Sequence, residues 1–155
     1  MTAEPWTSQQ WIDHTQILLN SFEHFLGRPL LQSRGTSEQD SEALYKAAFV
    51  VVSHGMQADP ILNYGNQTAV ELWETNLETL LTMPSRKTAE PVHRSECADM
   101  LARTARDGYI DDYQGVRITA TGKRFRIDQA VVWNLIDSDG TSVGQAATFS
   151  DWVLM

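Results

Sequence analysis

Cysteine is almost absent from this sequence, since Cys97 is the only one among its 155 residues. A single thiol excludes an internal disulfide, and one cysteine fits a reducing compartment. No apolar run approaches the roughly 20 residues that a membrane-spanning helix needs, and the longest run, 47–52, suits one buried strand. Residues 1–10 contain neither a basic stretch nor an apolar stretch, so we expect no signal peptide. The sequence therefore predicts a cytoplasmic protein that does not interact with membranes.

Basic residues are also scarce, with 12 Lys and Arg against 20 Asp and Glu and a net charge of −8. Nucleic-acid surfaces need clustered Lys and Arg to contact phosphates, so we expect no nucleic-acid partner. The length fits one domain, which buries roughly two thirds of the surface of its unfolded chain.

Catalytic and metal-binding motifs are missing as well. The four histidines form no H-x-x-x-H pair and no cluster with Cys97, so no metal site is predicted. The sequence has no G-x-S-x-G motif, no phosphate-binding loop and no dinucleotide fingerprint. Ser53 and His54 are adjacent, and neighbouring strand residues point to opposite faces, so these two cannot form a catalytic dyad. We expect a protein that is not an enzyme.

The first helix is predicted over residues 8–26, with Thr7 as its N-cap and Gln10 completing a capping box. Gly27 ends it. Its apolar stripe includes Trp11, Phe22 and Phe25. That stripe either packs on its own domain or forms a dimer interface, and we expect a homodimer.

The remaining pattern predicts a second helix over 37–48, a helix capped by Asn66, a short turn begun by the pair Thr75 and Glu78, and a helix from Pro91 to Gly108. Strands are predicted at 49–53, 60–63, 110–120, 123–136 and 142–149. This order favours an α+β fold in which helices cover a five-stranded antiparallel sheet. We expect an N-terminal helix and connector over 1–36 and one domain over 37–155.

Several blocks resemble the MEKHLA domain family: Val52-Ser53-His54-Gly55 and the segments 59–66, 83–91, 124–127, 132–137 and 144–149. The resemblance implies a PAS-like fold with the helices packed on one face of the sheet, and a sensory or regulatory role. The family also occurs as the C-terminal domain of plant homeodomain-leucine zipper regulators, where it is associated with control of dimerisation. Their DNA-binding and zipper segments are absent here, so their DNA function is not implied. The resemblance supplies no catalytic motif.

The strand at 123–135 predicts a pocket. Strict alternation places Phe125, Ile127, Gln129, Val131, Trp133 and Leu135 on one face, which their apolar character marks as the inner one. Gln129 is then a polar group on that face, and burying it unpaired costs roughly 1 to 3 kcal/mol, so it needs a partner. A ligand is one candidate, and Gln145 or a buried water is another. We expect Trp133 and Trp73 to line the wall of this pocket, although Trp133 also suits a core position.

Other candidate ligand-binding residues are His54, at the end of a buried strand, and Tyr64, whose hydroxyl can reach a cavity. Arg86, paired with Arg117 or Arg126, can bind a carboxylate or phosphate, or can form salt bridges with surface acids. In flavin-binding PAS relatives a glutamine on the last strand, here Gln145, contacts the isoalloxazine. Cys97 lies in a helical context unlike that of light sensors, so no photoactive flavin is predicted.

Three functions remain open at this point: a sensor that binds a small molecule, an interaction module with a filled core, and a small enzyme that uses the cavity. The cofactor is equally open, because flavin, haem or none at all is compatible with the sequence.

Overall fold

The computed structural model describes residues 4–90 and 93–155. Within them are five α-helices, at Gln9–Leu26 (α1), Ser37–Tyr45 (α2), Gln67–Leu72 (α3), Leu77–Leu80 (α4) and Arg94–Asp107 (α5). The strands are Val50–His54 (β1), Leu62–Gly65 (β2), Tyr109–Ile118 (β3), Arg124–Ile136 (β4), Ser142–Phe149 (β5) and Asp151–Leu154 (β6). Short 3-10 turns lie at Pro5–Thr7 and Ser85–Thr88.

The caps of α1 and α4 each lie one residue after the predicted position, because a neighbouring polar side chain provides the cap. The Trp11 amide donates to the Ser8 hydroxyl, 3.2 Å away, so Ser8 caps α1 instead of Thr7. Thr36 caps α2, which ends at Tyr45 and not at residue 48. Asn76 caps α4, so the predicted pair of Thr75 and Glu78 is wrong. Asn66 caps α3 as expected. The predicted helical position of Pro91 lies outside the described residues.

The sheet has the strand order β2-β1-β5-β4-β3, and every neighbouring pair is antiparallel. This confirms the predicted five-stranded antiparallel sheet with helices, including the long β3 to β5 meander. The sixth strand, β6, was not predicted. It follows β5 after Ser150 and pairs with the first half of β4, so that Asp151 lies opposite Asp128.

A bulge in the middle of β4 changes which side chains share a face. Gln129 has a φ of 54°, which breaks the extended conformation there. Phe125 and Ile127 therefore share a face with Ala130 and Val132, while Trp133 lies on the opposite face. The strict alternation predicted across 123–135 is wrong, because the bulge shifts the two-residue period by one position.

Helices cover both faces of the sheet. The α5 face, defined by Phe125, Ile127, Ala130 and Val132, packs beneath α3 and α5. The α1 face, defined by Val51, Val131, Trp133 and Leu135, packs against α1 and α2. The two faces therefore have separate cores.

The apolar stripe of α1 packs on its own domain. Trp11 and Phe22 are buried in the core of the α1 face, and the Phe22 ring lies edge-on to Trp133 with 5.0 Å between ring centroids. Phe25 is half-buried. Of the two alternatives for this stripe, packing on its own domain is therefore the arrangement in the structure, and the homodimer stays a prediction. The division of the chain at residue 36 stays a prediction. None of the described helices is long and apolar enough to cross a membrane.

Candidate ligand-binding site

A cavity of about 60 Å³ lies between the α5 face of the sheet and the helices that cover it. Its walls are mostly apolar, and they include Leu62, Met100, Ile127, Val132 and Phe149. Strands β1, β3, β4 and β5 form its floor, while α5 and the end of α3 close it from above. The cavity is large enough for a group of a few non-hydrogen atoms.

Three residues that line this cavity each have a buried polar side-chain atom with no hydrogen-bond partner among the described residues: His54 Nε2, Trp73 Nε1 and the Tyr113 hydroxyl. The three side chains come from β1, the end of α3 and β3, and each is more than nine-tenths buried. Most buried polar atoms in proteins are paired, so three unpaired ones around one cavity indicate room for a polar partner there. Three more, on Trp11, Tyr64 and Trp133, lie on the α1 face.

The unpaired atom of His54 is an acceptor. Its Nδ1 lies 2.9 Å from the Gly55 carbonyl oxygen, which can only accept, so Nδ1 carries the proton and Nε2 keeps its lone pair. Burial lowers the pKa of His54, and the Gly55 carbonyl offsets part of that effect. The imidazole is therefore neutral near pH 7, and its Nε2 is an unpaired acceptor on a residue that lines the cavity.

Gln145 also lines the cavity, but its amide nitrogen is already used. Nε2 donates to the Leu101 carbonyl, 3.0 Å away, and to Asn134 Oδ1, 3.2 Å away. This side chain therefore ties β5 to α5 and to β4. Its partners are a main-chain carbonyl and Asn134, not the Gln129 amide.

Gln129 and Trp133 do not reach the cavity. Gln129 is exposed at the bulge of β4, because its positive φ turns the side chain out of the sheet face. Trp133 is fully buried on the α1 face beneath Phe22. The expectation that both side chains share the inner face is wrong, because the bulge at Gln129 shifts the alternation of β4 by one position.

Tyr64 lies on the α1 face too. Its ring stacks 4.7 Å from the Trp11 ring, and it lines a groove beside α1 and not the cavity. Burial raises the pKa of the Tyr64 phenol, while the nearby Trp11 and Thr15 side chains lower it.

The predicted anion site around Arg86 is not formed. Arg86 Nε pairs with Asp59 at 3.0 Å, and Arg126 Nε pairs with Asp128 at 3.2 Å. Both arginines are about half-exposed, and neither lines the cavity. The alternative of salt bridges with surface acids is the arrangement in the structure. Exposed pairs of this kind contribute at most about 1 kcal/mol.

Sequence reasoning undervalued the second half of β3, where the inward-facing side chains are polar. Tyr113 and Arg117 are buried, as is Thr119 just after the strand, whereas Val116 and Ile118 are only half-buried. Alternation alone would have placed the aliphatic residues inside. The one available signal was that Arg117 shares its face with Tyr113, an aromatic residue typical of cores.

A second histidine contacts Ser53 from the other face of the sheet. His14 Nε2 lies 2.9 Å from Ser53 Oγ, and the Ser53 hydroxyl donates to Asn63 Oδ1 at 2.5 Å. The hydroxyl proton therefore points away from the imidazole, and Ser53 is almost completely buried. Burial lowers the pKa of His14 to about 4, so this neutral histidine fixes α1 to the sheet. The arrangement is not that of a nucleophile and its base.

The cavity does not fit a flavin or a haem in this conformation. Pockets that bind drug-sized molecules measure roughly 300 to 1,000 Å³, and this cavity is about 60 Å³. Gln145, the residue expected at an isoalloxazine, uses its amide nitrogen within the protein. Cys97, on α5, lies 3.5 Å from an Arg117 nitrogen. The described residues contain no group of three potential metal ligands.

The architecture is shared with PAS domains. The PAS domain of a protein from Colwellia psychrerythraea matches with a TM-score of 0.63 and 13% identity, over 72% of this chain and 92% of that one. A light-state dimer of the fungal blue-light photoreceptor Vivid matches with a TM-score of 0.57 and 12% identity, over 84% of this chain and 91% of that one. This protein therefore has a PAS-like fold.

Sequence comparison identifies the family. The family model of the MEKHLA domain matches residues 12–154, so the chain belongs to the MEKHLA domain family. The homeobox-leucine zipper protein HOX29 of Oryza sativa subsp. indica is 23% identical over 143 residues, which is 90% of this chain. The chain spans 16% of the length of that relative.

Proposed function

We propose that this chain is a sensory or regulatory domain that binds a small molecule in the cavity on the α5 face. The observation that carries this proposal is the cluster of unpaired polar atoms on His54, Trp73 and Tyr113 around one apolar cavity. Each such atom costs roughly 1 to 3 kcal/mol when it is buried without a partner. A ligand that pairs with them recovers part of that cost.

The three atoms define what the ligand must offer. His54 Nε2 is an acceptor, the Trp73 indole N–H is a donor, and the Tyr113 hydroxyl can act as either. The ligand therefore offers at least one acceptor on a small apolar body, and any donor that it carries can pair with His54 Nε2. We propose binding without catalysis, because the site holds no nucleophile paired with a base.

Occupancy of the cavity would be transmitted through α5. Met100 and Leu101 of this helix line the cavity, and the Leu101 carbonyl accepts from Gln145 on β5. A ligand that pushes against α5 would strain this contact. The position of α5 against the sheet is therefore the structural difference that we propose a partner detects.

The test is thermal unfolding in the presence of small acids, amides, alcohols and amines that share one carbon skeleton. We expect at least one of them to raise Tm in a concentration-dependent way, because a ligand that binds only the folded state stabilises it. Ala130→Leu fills the cavity and should abolish the shift. Ala102→Leu adds the same atoms on the exposed side of α5 and should keep it. An equal shift in Ala130→Leu would contradict the proposal.

A second candidate function is self-association through β6. Among the described residues no strand pairs with the outer edge of β6, and its Val153 and Leu154 are exposed apolar side chains. An unpaired edge strand is a template for pairing with another chain, and two identical antiparallel edges can pair around a two-fold axis. The Vivid structure named above is a dimer, which adds a precedent within the fold.

Light scattering tests this candidate with one matched pair of variants. We expect about twice the monomer mass for the unmodified chain, and the monomer mass for Val153→Lys, which places a charge on the free edge. Met56→Lys changes another exposed apolar residue, which lies in a loop, and should leave the dimer intact. A dimer that persists in Val153→Lys would exclude the β6 edge.

A further inference from the structure

Arg117 is a buried charge on the α5 face of the sheet. It lies on β3 opposite Phe125 in the register, its side chain lines the cavity, and only 7% of its surface is exposed. Arginine is almost never this deeply buried unless it is paired, because burying a charge without a partner is very costly.

The contacts of Arg117 within the protein do not neutralise that charge. One terminal nitrogen donates to the Val116 carbonyl at 3.1 Å, the other contacts Cys97 Sγ at 3.5 Å, and the guanidinium lies 5.3 Å from the centre of the Tyr113 ring. No carboxylate of the described residues lies within 4 Å, and residues 1–3, 91 and 92 include no Asp or Glu.

The other arginines show how this chain normally pairs them. Five of those that the structure describes form an ion pair with a carboxylate: Arg34, Arg86, Arg106, Arg124 and Arg126. Four of those five are about half-exposed or more, where a partner is least needed. Arg117 is buried where a partner is needed most, and the open space beside it is the cavity.

We propose that the ligand of this cavity is a small organic monocarboxylate and that Arg117 is its counter-ion. This inference rests on the proposed function and specifies its ligand class. A guanidinium binds a planar carboxylate through two parallel hydrogen bonds. The Tyr113 hydroxyl and the Trp73 indole N–H are two further unpaired donors on the same cavity.

Charge and polarity favour a carboxylate over phosphate. The cavity offers one cationic side chain, Arg117, because His54 is neutral. One positive charge matches a monoanion, whereas phosphate near pH 7 carries more charge than a single arginine balances. Leu62, Met100 and Phe149 present an apolar wall that an all-polar ion cannot use. A short hydrocarbon chain attached to the carboxylate matches both the wall and the volume of about 60 Å³.

Isothermal titration calorimetry tests the inference with three probes: butyrate, the neutral isostere butyramide, and inorganic phosphate. We expect butyrate to bind the full chain more tightly than butyramide does, and phosphate not to bind. Arg117→Met should weaken butyrate binding about 10- to 100-fold, because it removes charge-assisted hydrogen bonds to the carboxylate. Arg126→Met removes an exposed charge of the same sheet that does not line the cavity, and this variant should bind butyrate as the unmodified chain does.

The outcomes separate this inference from the function on which it rests. If butyramide binds as tightly as butyrate, or Arg117→Met keeps full butyrate affinity, the cavity binds ligands but the carboxylate assignment is wrong. Binding of phosphate alone also overturns it. If no probe binds and no compound of the thermal set shifts Tm, both proposals fail. If Arg117→Met does not fold, Arg117→Lys keeps the charge without the planar fork, and an unchanged butyrate affinity in it contradicts bidentate binding.

Discussion

Asn66 is the residue whose removal tests the packing of this fold most severely. Its side-chain oxygen accepts from the amides of Val51 and Ala69, both at 3.1 Å. Its side-chain nitrogen donates to the carbonyls of Leu44 at 3.1 Å and Phe49 at 2.8 Å. One fully buried amide therefore joins the end of α2, the start of β1 and the first turn of α3. Trp73, at the end of α3, lines the cavity.

Replacing Asn66 with alanine removes all four of these hydrogen bonds to main-chain groups. At a net value of about 1 kcal/mol for each hydrogen bond, we expect a loss of roughly 4 kcal/mol in the free energy of unfolding. That is a large fraction of the 5 to 15 kcal/mol typical of whole domains. Asn66→Asp keeps the two acceptor contacts but loses both donors, so we expect a loss of comparable size.

Urea denaturation followed by tryptophan fluorescence measures the difference. The matched control is Asn76→Ala, since Asn76 is also a helix cap but is exposed and makes one side-chain bond, to the Thr79 amide at 2.8 Å. A cap of this kind is worth about 1 kcal/mol. A loss in Asn66→Ala no greater than that in Asn76→Ala would show that the Asn66 side chain does not hold α2, β1 and α3 together.

Three further predictions concern pH, backbone space and surface charge. Burial raises the pKa of Asp40, but hydrogen bonds from the Gly35 amide and the Arg34 guanidinium outweigh it and leave that pKa below its usual value. The stability that Asp40 contributes is therefore present above about pH 4 and is lost as the pH falls further. Urea denaturation should show that, below about pH 4, the free energy of unfolding of Asp40→Asn falls less steeply with falling pH than that of the unmodified chain. An equally steep fall in both proteins would contradict this. Gly144→Ala should lower Tm, because an added Cβ would run into the His54 carbonyl oxygen; an unchanged Tm would show that β1 can move aside. Arg86→Ala should change the free energy of unfolding by less than about 1 kcal/mol, because its ion pair with Asp59 is exposed. A larger loss would mean that this pair is not a simple surface contact.

Much of the fold was predictable because its signals are local. The apolar stripe of α1, the β-branched run of β1 and the hairpin signal before β5 each predict an element from adjacent residues. β6 has only four residues and follows β5 after one intervening residue, so no turn signal separates the two strands.

The site was harder to predict, because it depends on register. One residue of positive φ at Gln129 exchanges the two faces of the second half of β4, and glutamine carries no signal for such a bulge. His54, Trp73 and Gln145 line the cavity, whereas Gln129 and Trp133 do not, and a ligand-binding role for the first three stays a prediction. Arg117 carries the charge that we propose the ligand neutralises, and a lone arginine in a strand looks like a surface residue until the tertiary structure buries it.

The most direct test of the central claim compares two tryptophans in one NMR spectrum. Trp73 and Trp133 are both buried with unpaired indole N–H groups, but Trp73 lines the cavity and Trp133 lies on the opposite face of the sheet. Their indole ¹H–¹⁵N signals, assigned with Trp73→Phe and Trp133→Phe, should be followed while each compound of the thermal set is added. We expect a binding compound to shift the Trp73 signal and to leave the Trp133 signal in place. A Trp73 signal that no compound shifts, or equal shifts of both signals, would contradict ligand binding in this cavity.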